Sequence, residues 1–508
     1  MDSFSLDATT RVAVIGAGSM GAGIAQLAAQ AGHTVRLFDV HPGAAARALE
    51  RIARDLDGAV QRGRMAAGER DAVRARLVAV ERLEALEGCG LAVEAIVEKL
   101  EPKQALFRQL EEVLGEHAVL ATNTSSISVT AVAQGLKRPQ RLIGWHFFNP
   151  ATRMKLVEII RGVETDPALV PALHALSKAW GKTAVDAPNA PGFIVNRVAR
   201  PYYAEGLRLL AERIAPVAAI DRLLREAGGF AMGPFELMDL IGVEVNLSVT
   251  ESVFQATAFD ARFAPSLIQQ ELARSGRFGR KSGQGFYRYG ADVPAPRVEL
   301  VEPAAVAPSV ACAGRLGLLA PLVERLRAAG VAVAYEASLP DETLLLDGVR
   351  VALTDGRTAT ERAATEVDGP LLLLDLARDF AATPLLGAAA GAGAEAHLST
   401  LAAVLQAAGI GLQALDDVAG LVLMRTVCCL ANEAADVITW SGATARDIDT
   451  AMRLGTAYPL GPLAWADALG AARVATVLRH LQAHYGEVRY RRSPLLTRLQ
   501  HARGTFHS

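Results

Sequence analysis

Short apolar runs and helix-period stretches alternate through the first third of the chain. RVAVIG (11–16) is an apolar, β-rich run, MGAGIAQLAAQAG (20–32) repeats its apolar positions at helical spacing, and TVRLFDV (34–40) is strand-like again. Polar helix-favouring sequence from Pro42 to about Arg82 precedes a strand LAVEAIVE (91–98), a helix (103–114), a strand VLATN (119–123) and LIGWHFFNP (142–150). Strands alternating with helices predict an α/β unit with a doubly wound sheet over 1–188. From Pro191 the β signal fades, and helical patterns predict an all-α domain over 189–290. A linker over 291–308 is marked by Pro294, Pro296, Pro303 and Pro308.

Beyond the linker the chain starts again. GFIVNR (192–197) and GLVLMR (420–425) are followed at a constant offset of 228 by Glu205 and Glu433, Asp221 and Asp449, Gly233-Pro234 and Gly461-Pro462, Asp239 and Asp467, Gly242 and Gly470. An ungapped match at so many Gly, Pro and acidic positions predicts a duplicated helical domain over 415–508. Upstream of it, 309–338 reads strand, helix, strand, so 309–414 is expected to be a degenerate α/β unit. GAAAGAGAEA (387–396) is low in complexity and reads as a loop or a helix edge.

At 508 residues several hydrophobic cores are required, in agreement with that division. The 52 basic and 54 acidic residues nearly cancel, which leaves no global electrostatic case for nucleic acid or an anionic membrane. No apolar run approaches a bilayer span, and MDSFSLDATT has neither a basic nor an apolar segment of a secretory leader, so the cytoplasm is the expected compartment. Cys89, Cys312, Cys428 and Cys429 have no metal-binding spacing and are expected to be small buried hydrophobes; no metal site is expected.

Candidate chemistry enters at Gly16-Ala17-Gly18-Ser19-Met20-Gly21, a G-x-G-x-x-G between a predicted strand and a predicted helix. In that context Gly16 takes the tight turn, Gly18 removes the Cβ that would block a pyrophosphate, and Gly21 lets helix and strand approach. Asp39 ends the second strand, where a carboxylate binds ribose hydroxyls and repels a 2′-phosphate, which favours NAD over NADP. The second feature is LIGWHFFNPATRMKLVEII (142–160). Folded as a hairpin centred near Thr152, it sets His146 against Glu158, roughly 5 Å apart at Cβ. A carboxylate so placed fixes the imidazole tautomer and stabilises the imidazolium formed when the ring takes a proton. A core histidine beside a surface glutamate is the alternative on spacing alone.

The ordered motifs GAGSMGAGIA, VEAIVEKLEPK, TNTSS, HFFNPATRMKLVEII, PGFIVNR, MGPFELMDLIG and GRKSGQGFYRY resemble those of the 3-hydroxyacyl-CoA dehydrogenase family over about 1–290. The resemblance implies a Rossmann-type NAD-binding domain followed by a helical domain. It also implies oxidation of an (S)-3-hydroxyacyl-CoA to the 3-oxoacyl-CoA, with hydride passing to NAD as His146 takes the hydroxyl proton. By the same resemblance Glu158 partners His146, Ser125 and Asn196 hold the substrate oxygen or the histidine, and Asn149 lies beside the nicotinamide. Glu98, Lys103 and Lys281 correspond to cofactor contacts, and Arg54 and Arg62 to the CoA-contacting region. Each has a plainer reading: Ser125 as a helix cap, Asn196 as a local hydrogen bond, and the lysines and arginines as solvated surface charge.

In the second copy, aligning Gly16 with Gly314 puts Leu316 and Leu319 where Gly18 and Gly21 stand, and the offset of 228 replaces His146, Glu158 and Asn196 by Leu374, Leu386 and Met424. That copy is expected to be non-catalytic and to pack against the first as an intrachain pseudo-dimer, a homodimer being the other arrangement. A non-enzymatic, crystallin-like NAD-binding relative and a dehydrogenase of free 3-hydroxy acids are the competing functions. The tandem form resembles bacterial enzymes acting on 3-hydroxyadipyl-CoA or 3-hydroxybutyryl-CoA, so short or dicarboxylic acyl-CoA substrates are expected.

Overall fold

The computed structural model describes residues 6–294, 296–305, 309–366 and 369–507. Residues 1–5 of the N-terminal stretch and Pro308 of the linker lie outside the described residues. Two compact units emerge: residues 1–197 with 441–456, and 198–440 with 457–508.

The first unit is built on eight strands: β1 (Val12–Ile15), β2 (Val35–Phe38), β3 (Leu77–Val80), β4 (Leu91–Glu94), β5 (Val119–Thr122), β6 (Leu142–Phe147), β7 (Leu156–Arg161) and β8 (Thr183–Ala187). Their order is β3-β2-β1-β4-β5-β6-β7-β8, parallel except that β7 runs antiparallel to β6. The central strands β1, β4, β5 and β6 are buried at every position, as expected for a sheet covered on both faces, and the edge strand β3 is not. Trp145, Phe147 and Trp180 form an aromatic cluster in which both indoles are satisfied. Trp145 donates to Ser177 Oγ at 3.0 Å and Trp180 to His33 Nε2 at 3.0 Å. Helix Ala445–Gly455, from the second helical repeat, belongs to this unit and packs on β7 and β8.

The second unit holds a mixed sheet, β9 (Ser309–Cys312), β10 (Ala332–Tyr335), β11 (Thr343–Leu346), β12 (Val349–Leu353), β13 (Leu371–Leu374), β14 (Leu385–Ala390) and β15 (Gly411–Leu415), in the order β10-β9-β11-β12-β13-β14-β15. Strand β14 corrects the reading of 387–396 as a loop or helix edge. Its first part, through Ala390, is an interior strand, and its small side chains leave room for Leu223 and Leu415 against Gly387. β11 and β12 form a hairpin through Asp347 and Gly348, both at positive φ, an arrangement unread in the sequence. The linker is pinned, with Val301 donating to Leu412 O and Ala304 to Ser399 O.

Both helical repeats contribute to this unit and exchange buried charge. Fully buried Arg425 donates to Glu205, Glu212 and the hydroxyls of Tyr485 and Tyr490, while Arg262 pairs with Glu433 and Asp436. Phe230 packs against Tyr458 and Trp465. The repeat's acids have visible work: Asp239 accepts from the amides of Phe286 and Tyr287, and Asp467 from those of Phe506 and His507. All four cysteines are buried and unpaired, as expected of small apolar residues. Among the described residues no helix is long and apolar enough to cross a membrane.

Candidate active site

The glycine loop follows β1 directly and each glycine has a physical reason. Gly16 sits at φ +106°, and a Cβ there would meet Ala95 O at 2.4 Å; one on Gly21 would meet Gly16 O at 1.8 Å. At Gly18 an added Cβ meets nothing within 4 Å, so this position faces open space, where a pyrophosphate would lie against the first amides of helix Ser19–Gln30. Asp39 Oδ2 accepts from the Ala17 amide at 2.7 Å and Oδ1 from the His41 amide at 2.9 Å. Burial pushes the Asp39 carboxyl up, but the hydrogen bonds from His41 and Ala17 outweigh it and hold it below its ordinary value. Arg51 Nη2 donates to Ala17 O at 2.7 Å and clamps the loop from the next helix. A cavity of about 550 Å³ opens between Asp39 and the strand β4 loop, with Val40, Leu83, Ile96 and Val97 along its walls. Val40 and Val97, 77 % and 62 % exposed, give that cavity an apolar lining on which a planar base can pack. These features fit NAD.

The hairpin is present in the expected register, with His146 opposite Glu158 on β6 and β7. His146 Nδ1 lies 2.7 Å from Glu158 Oε2, with both side chains buried. Glu158 Oε1 accepts from the amides of Ile194 and Val195 at 3.1 and 3.0 Å. Those amides converge because Phe193 adopts a left-handed backbone, φ +48°, costly for a non-glycine residue. The rings of Phe148 and Phe193 flank His146 at 4.5 and 5.9 Å, and both escaped the sequence reading. The carboxylate thus holds one imidazole nitrogen and leaves Nε2 for chemistry.

Around the dyad the structure gathers most of the expected residues. Asn196 Nδ2 approaches Ser125 O at 3.4 Å, and Asn149 Oδ1 accepts from Ser19 Oγ at 3.4 Å, which joins the histidine's strand to the glycine loop. Glu98 Oε1 accepts from Thr124 Oγ1 and the Ser125 amide, both at 2.7 Å, and from the Ser125 hydroxyl at 3.1 Å, so it organises the TNTSS loop. Burial raises the Glu98 carboxyl, yet Lys103 and the loop's hydrogen bonds bring it below its usual value. Lys103 is 1 % exposed, and its ammonium is held between Glu94 and Glu98 at 2.7 and 3.2 Å. It is no solvated surface charge: two carboxylates hold it inside the fold. Lys281 lies in the other unit, half exposed and paired with Glu244. Arg54 and Arg62 are exposed on helix Ala44–Gln61 and at its C-terminal cap. Met20 is half-buried in the first turn after the glycines.

Lys182 was missed. Its ammonium donates to Ala151 O and Met154 O at 2.6 and 2.7 Å and braces the loop that carries Asn149, and burial lowers it to about 8. Asn123 Oδ1 accepts from the Phe147 amide at 2.8 Å and ties the end of β6 to the TNTSS loop. Only the tertiary fold pairs these groups.

The second copy corrects the offset alignment by one residue. Asp375 donates its amide to Gly387 O, and Gly387 pairs with Gln413 as Glu158 pairs with Val185, so Asp375 and Gly387 stand at the dyad positions rather than Leu374 and Leu386. Asp375 accepts from the amides of Val422, Leu423 and Met424 at 3.0, 2.7 and 3.0 Å. An acid still anchors the turn, but no imidazole faces it.

A dinucleotide cradle joined to a carboxylate-backed imidazole defines an NAD-dependent dehydrogenase. The family profile described as 3-hydroxyacyl-CoA dehydrogenase, NAD binding domain, matches 11–190, and that of the C-terminal domain matches 192–289 and again 420–505. A 3-hydroxybutyryl-CoA dehydrogenase reduced Rossmann-fold domain matches 351–418. The chain is 43 % identical over 485 residues, 96 % of each chain, to the 3-hydroxyadipyl-CoA dehydrogenase of Escherichia coli K12. It is 39 % identical over 279 residues, 55 % of this chain and 97 % of the other, to the probable 3-hydroxybutyryl-CoA dehydrogenase of Bacillus subtilis. The solved 3-hydroxybutyryl-CoA dehydrogenase of Escherichia coli K12 superposes with a TM-score of 0.89 at 40 % identity, covering 98 % of this chain and 99 % of that one. The chain belongs to the 3-hydroxyacyl-CoA dehydrogenase family and is an NAD-dependent oxidoreductase.

Proposed function

We propose that the chain oxidises short-chain or dicarboxylic (S)-3-hydroxyacyl-CoA thioesters, such as 3-hydroxybutyryl-CoA or 3-hydroxyadipyl-CoA, with His146 as the base. The observation that carries this is the buried 2.7 Å contact between His146 Nδ1 and Glu158 Oε2. A proton on Nδ1 leaves Nε2 as an acceptor, and the carboxylate stabilises the positive charge that develops as Nε2 takes the hydroxyl proton. NAD, when bound, supplies the hydride acceptor. Ser125 and Asn196 orient the reacting oxygen, Asn149 lies beside the nicotinamide, and Glu98, with Lys103 behind it, fixes the serine loop. The family resemblance assigns Lys281 a cofactor contact, and Arg54 and Arg62 serve the CoA phosphates. The names of the relatives support the substrate class; phenylacetate catabolism and fatty-acid β-oxidation in the cytoplasm are the proposed settings. The buried charge exchange between helical repeats supports an intrachain pseudo-dimer.

The test is the initial rate of NADH formation with 3-hydroxybutyryl-CoA, 3-hydroxyadipyl-CoA, a long-chain analogue and free 3-hydroxybutyrate. Highest kcat/KM is expected on one of the first two. Equal rates on the free acid, or no NADH from any thioester, would overturn the reading.

A further inference from the structure

The second half of the chain lacks a dyad, yet one of its helices stands behind the dyad of the first. Helix Ala445–Gly455 packs on β7 and β8 within the first compact unit. At its last residue the approach is so close that a Cβ on Gly455 would lie 2.9 Å from Leu156 Cδ2 and 3.0 Å from Val195 Cγ2. Gly455 is not at positive φ, so its backbone does not demand glycine; the contact does. Leu156 lies two residues before Glu158, on the same face of β7, and the Val195 amide is one of the two donors to Glu158 Oε1. Gly455 therefore touches both segments that hold the carboxylate.

The exchange is reciprocal. Helix Val217–Glu226 of the first repeat packs on β14 of the second sheet, and Ala227, which the offset of 228 aligns with Gly455, accepts from the Arg378 amide at 2.8 Å. A Cβ on the next residue, Gly228, would lie 2.9 Å from Leu423 Cδ1, and Leu423 corresponds to Val195. Each sheet is backed by the other repeat's helix.

We infer that helix Ala445–Gly455 is a positioning element for the Glu158–His146 pair, acting through Gly455 on Val195 and Leu156. The non-catalytic copy is thus part of the working site; the inference rests on His146 being the base. Leu156 can swing a terminal methyl aside, but Val195 is stiff at χ1, so a larger residue at 455 displaces the turn carrying its amide. A displacement near 1 Å in a catalytic pair costs on the order of 100-fold.

The experiment uses the full-length chain with Gly455→Val, Val195→Ala and the double variant. Gly455→Val should lower kcat about 100-fold while NADH affinity stays within twofold, because the glycine loop lies four strands away on β1. Val195→Ala on that background should restore at least tenfold, since it keeps the amide and removes the obstructing methyls. The His146 Nδ1 proton resonance in histidine-labelled protein should shift in Gly455→Val and return in the double variant. A kcat within threefold of wild type, a parallel loss of NADH binding, or no rescue by Val195→Ala would overturn the inference. If the wild-type chain oxidises no hydroxyacyl-CoA, the functional reading fails instead. The resonance then decides alone, an unchanged signal in Gly455→Val counting against the inference.

Discussion

Replacing Glu158 by glutamine changes one atom and forces a choice on the site. Glu158 Oε1 accepts from two amides, Ile194 at 3.1 Å and Val195 at 3.0 Å, while Oε2 faces His146 Nδ1 at 2.7 Å. Glutamine can keep its oxygen on the amides and aim its NH2 at the imidazole, or the reverse. The reverse sets two donors against one another in a buried place and forfeits two backbone hydrogen bonds, each costing about 1–3 kcal/mol when left unmade. The first arrangement needs only a tautomer change, so it wins. Nδ1 must then accept, the ring proton moves to Nε2, and the nitrogen meant to take the substrate proton is already occupied. The comparable carboxylate-to-amide change in a serine-protease triad costs about 10⁴ in kcat. A fall of about 10³ to 10⁴ is expected, roughly 4–5.5 kcal/mol of transition-state stabilisation. Initial rates of NADH formation with 3-hydroxybutyryl-CoA give the answer. Loss should appear in kcat and kcat/KM alike, because the carboxylate's attraction for a charged imidazolium is felt only as the proton moves. A kcat within tenfold of wild type would show that the tautomer argument is wrong.

Three further outcomes follow from the same geometry. Arg425→Met should destabilise the chain by about 3 kcal/mol in urea unfolding, because it removes the buried cation shared by Glu205, Glu212 and two tyrosine hydroxyls and leaves Glu205 to Arg208 and Tyr490, and adding Glu205→Gln should recover part of that; a loss under 1 kcal/mol would deny the network a structural role. Asp39→Ala should raise KM for NAD at least tenfold and shrink its preference over NADP, both read from steady-state kinetics; an unchanged NAD-to-NADP ratio would remove Asp39 from cofactor choice. Burial raises the Asp375 carboxyl to about 6 against the pull of four amide hydrogen bonds, so the folded state holds this proton more tightly than the unfolded chain. Its stabilising contribution is full below pH 4 and is lost as pH rises through 6. Asp375→Asn should therefore gain on wild type by up to about 3 kcal/mol between pH 4 and 7.5, and a flat difference would contradict the shift.

The parts of the site that lie close in sequence were legible. Three glycines between strand and helix, and a hairpin whose midpoint is Thr152, fix the cradle and the dyad through local geometry alone. What depended on tertiary neighbours was not. GAAAG reads poorly as a strand because alanine and glycine are weak β formers, and only the approach of Leu223 and Leu415 shows why small residues belong in β14. Lys103 looks like any surface lysine until Glu94 and Glu98 close on it. Asp347-Gly348 is a local hairpin signal between two apolar runs, but the strand-helix-strand pattern of 309–338 gives no reason to look for an antiparallel pair after it. Nothing local marks helix Ala445–Gly455 as belonging with a strand pair some 290 residues earlier.

The two copies separate what the acid does from what the acid-imidazole pair does. In both, a residue at left-handed φ, Phe193 or Leu421, turns the chain so that successive amides point at a buried carboxylate. In the first copy that carboxylate comes from β7 and keeps one oxygen for His146; in the second it comes from the residue after β13, opposite Gly387, and every hydrogen bond it accepts is from backbone. Anchoring the turn is a requirement of the fold, because the amides would otherwise be buried unsatisfied. Activating a base is an addition to it. A mutation that spares the anchor and removes the imidazole should thus leave the first copy folded and inactive, with an anchored turn and no facing imidazole, the geometry of the second.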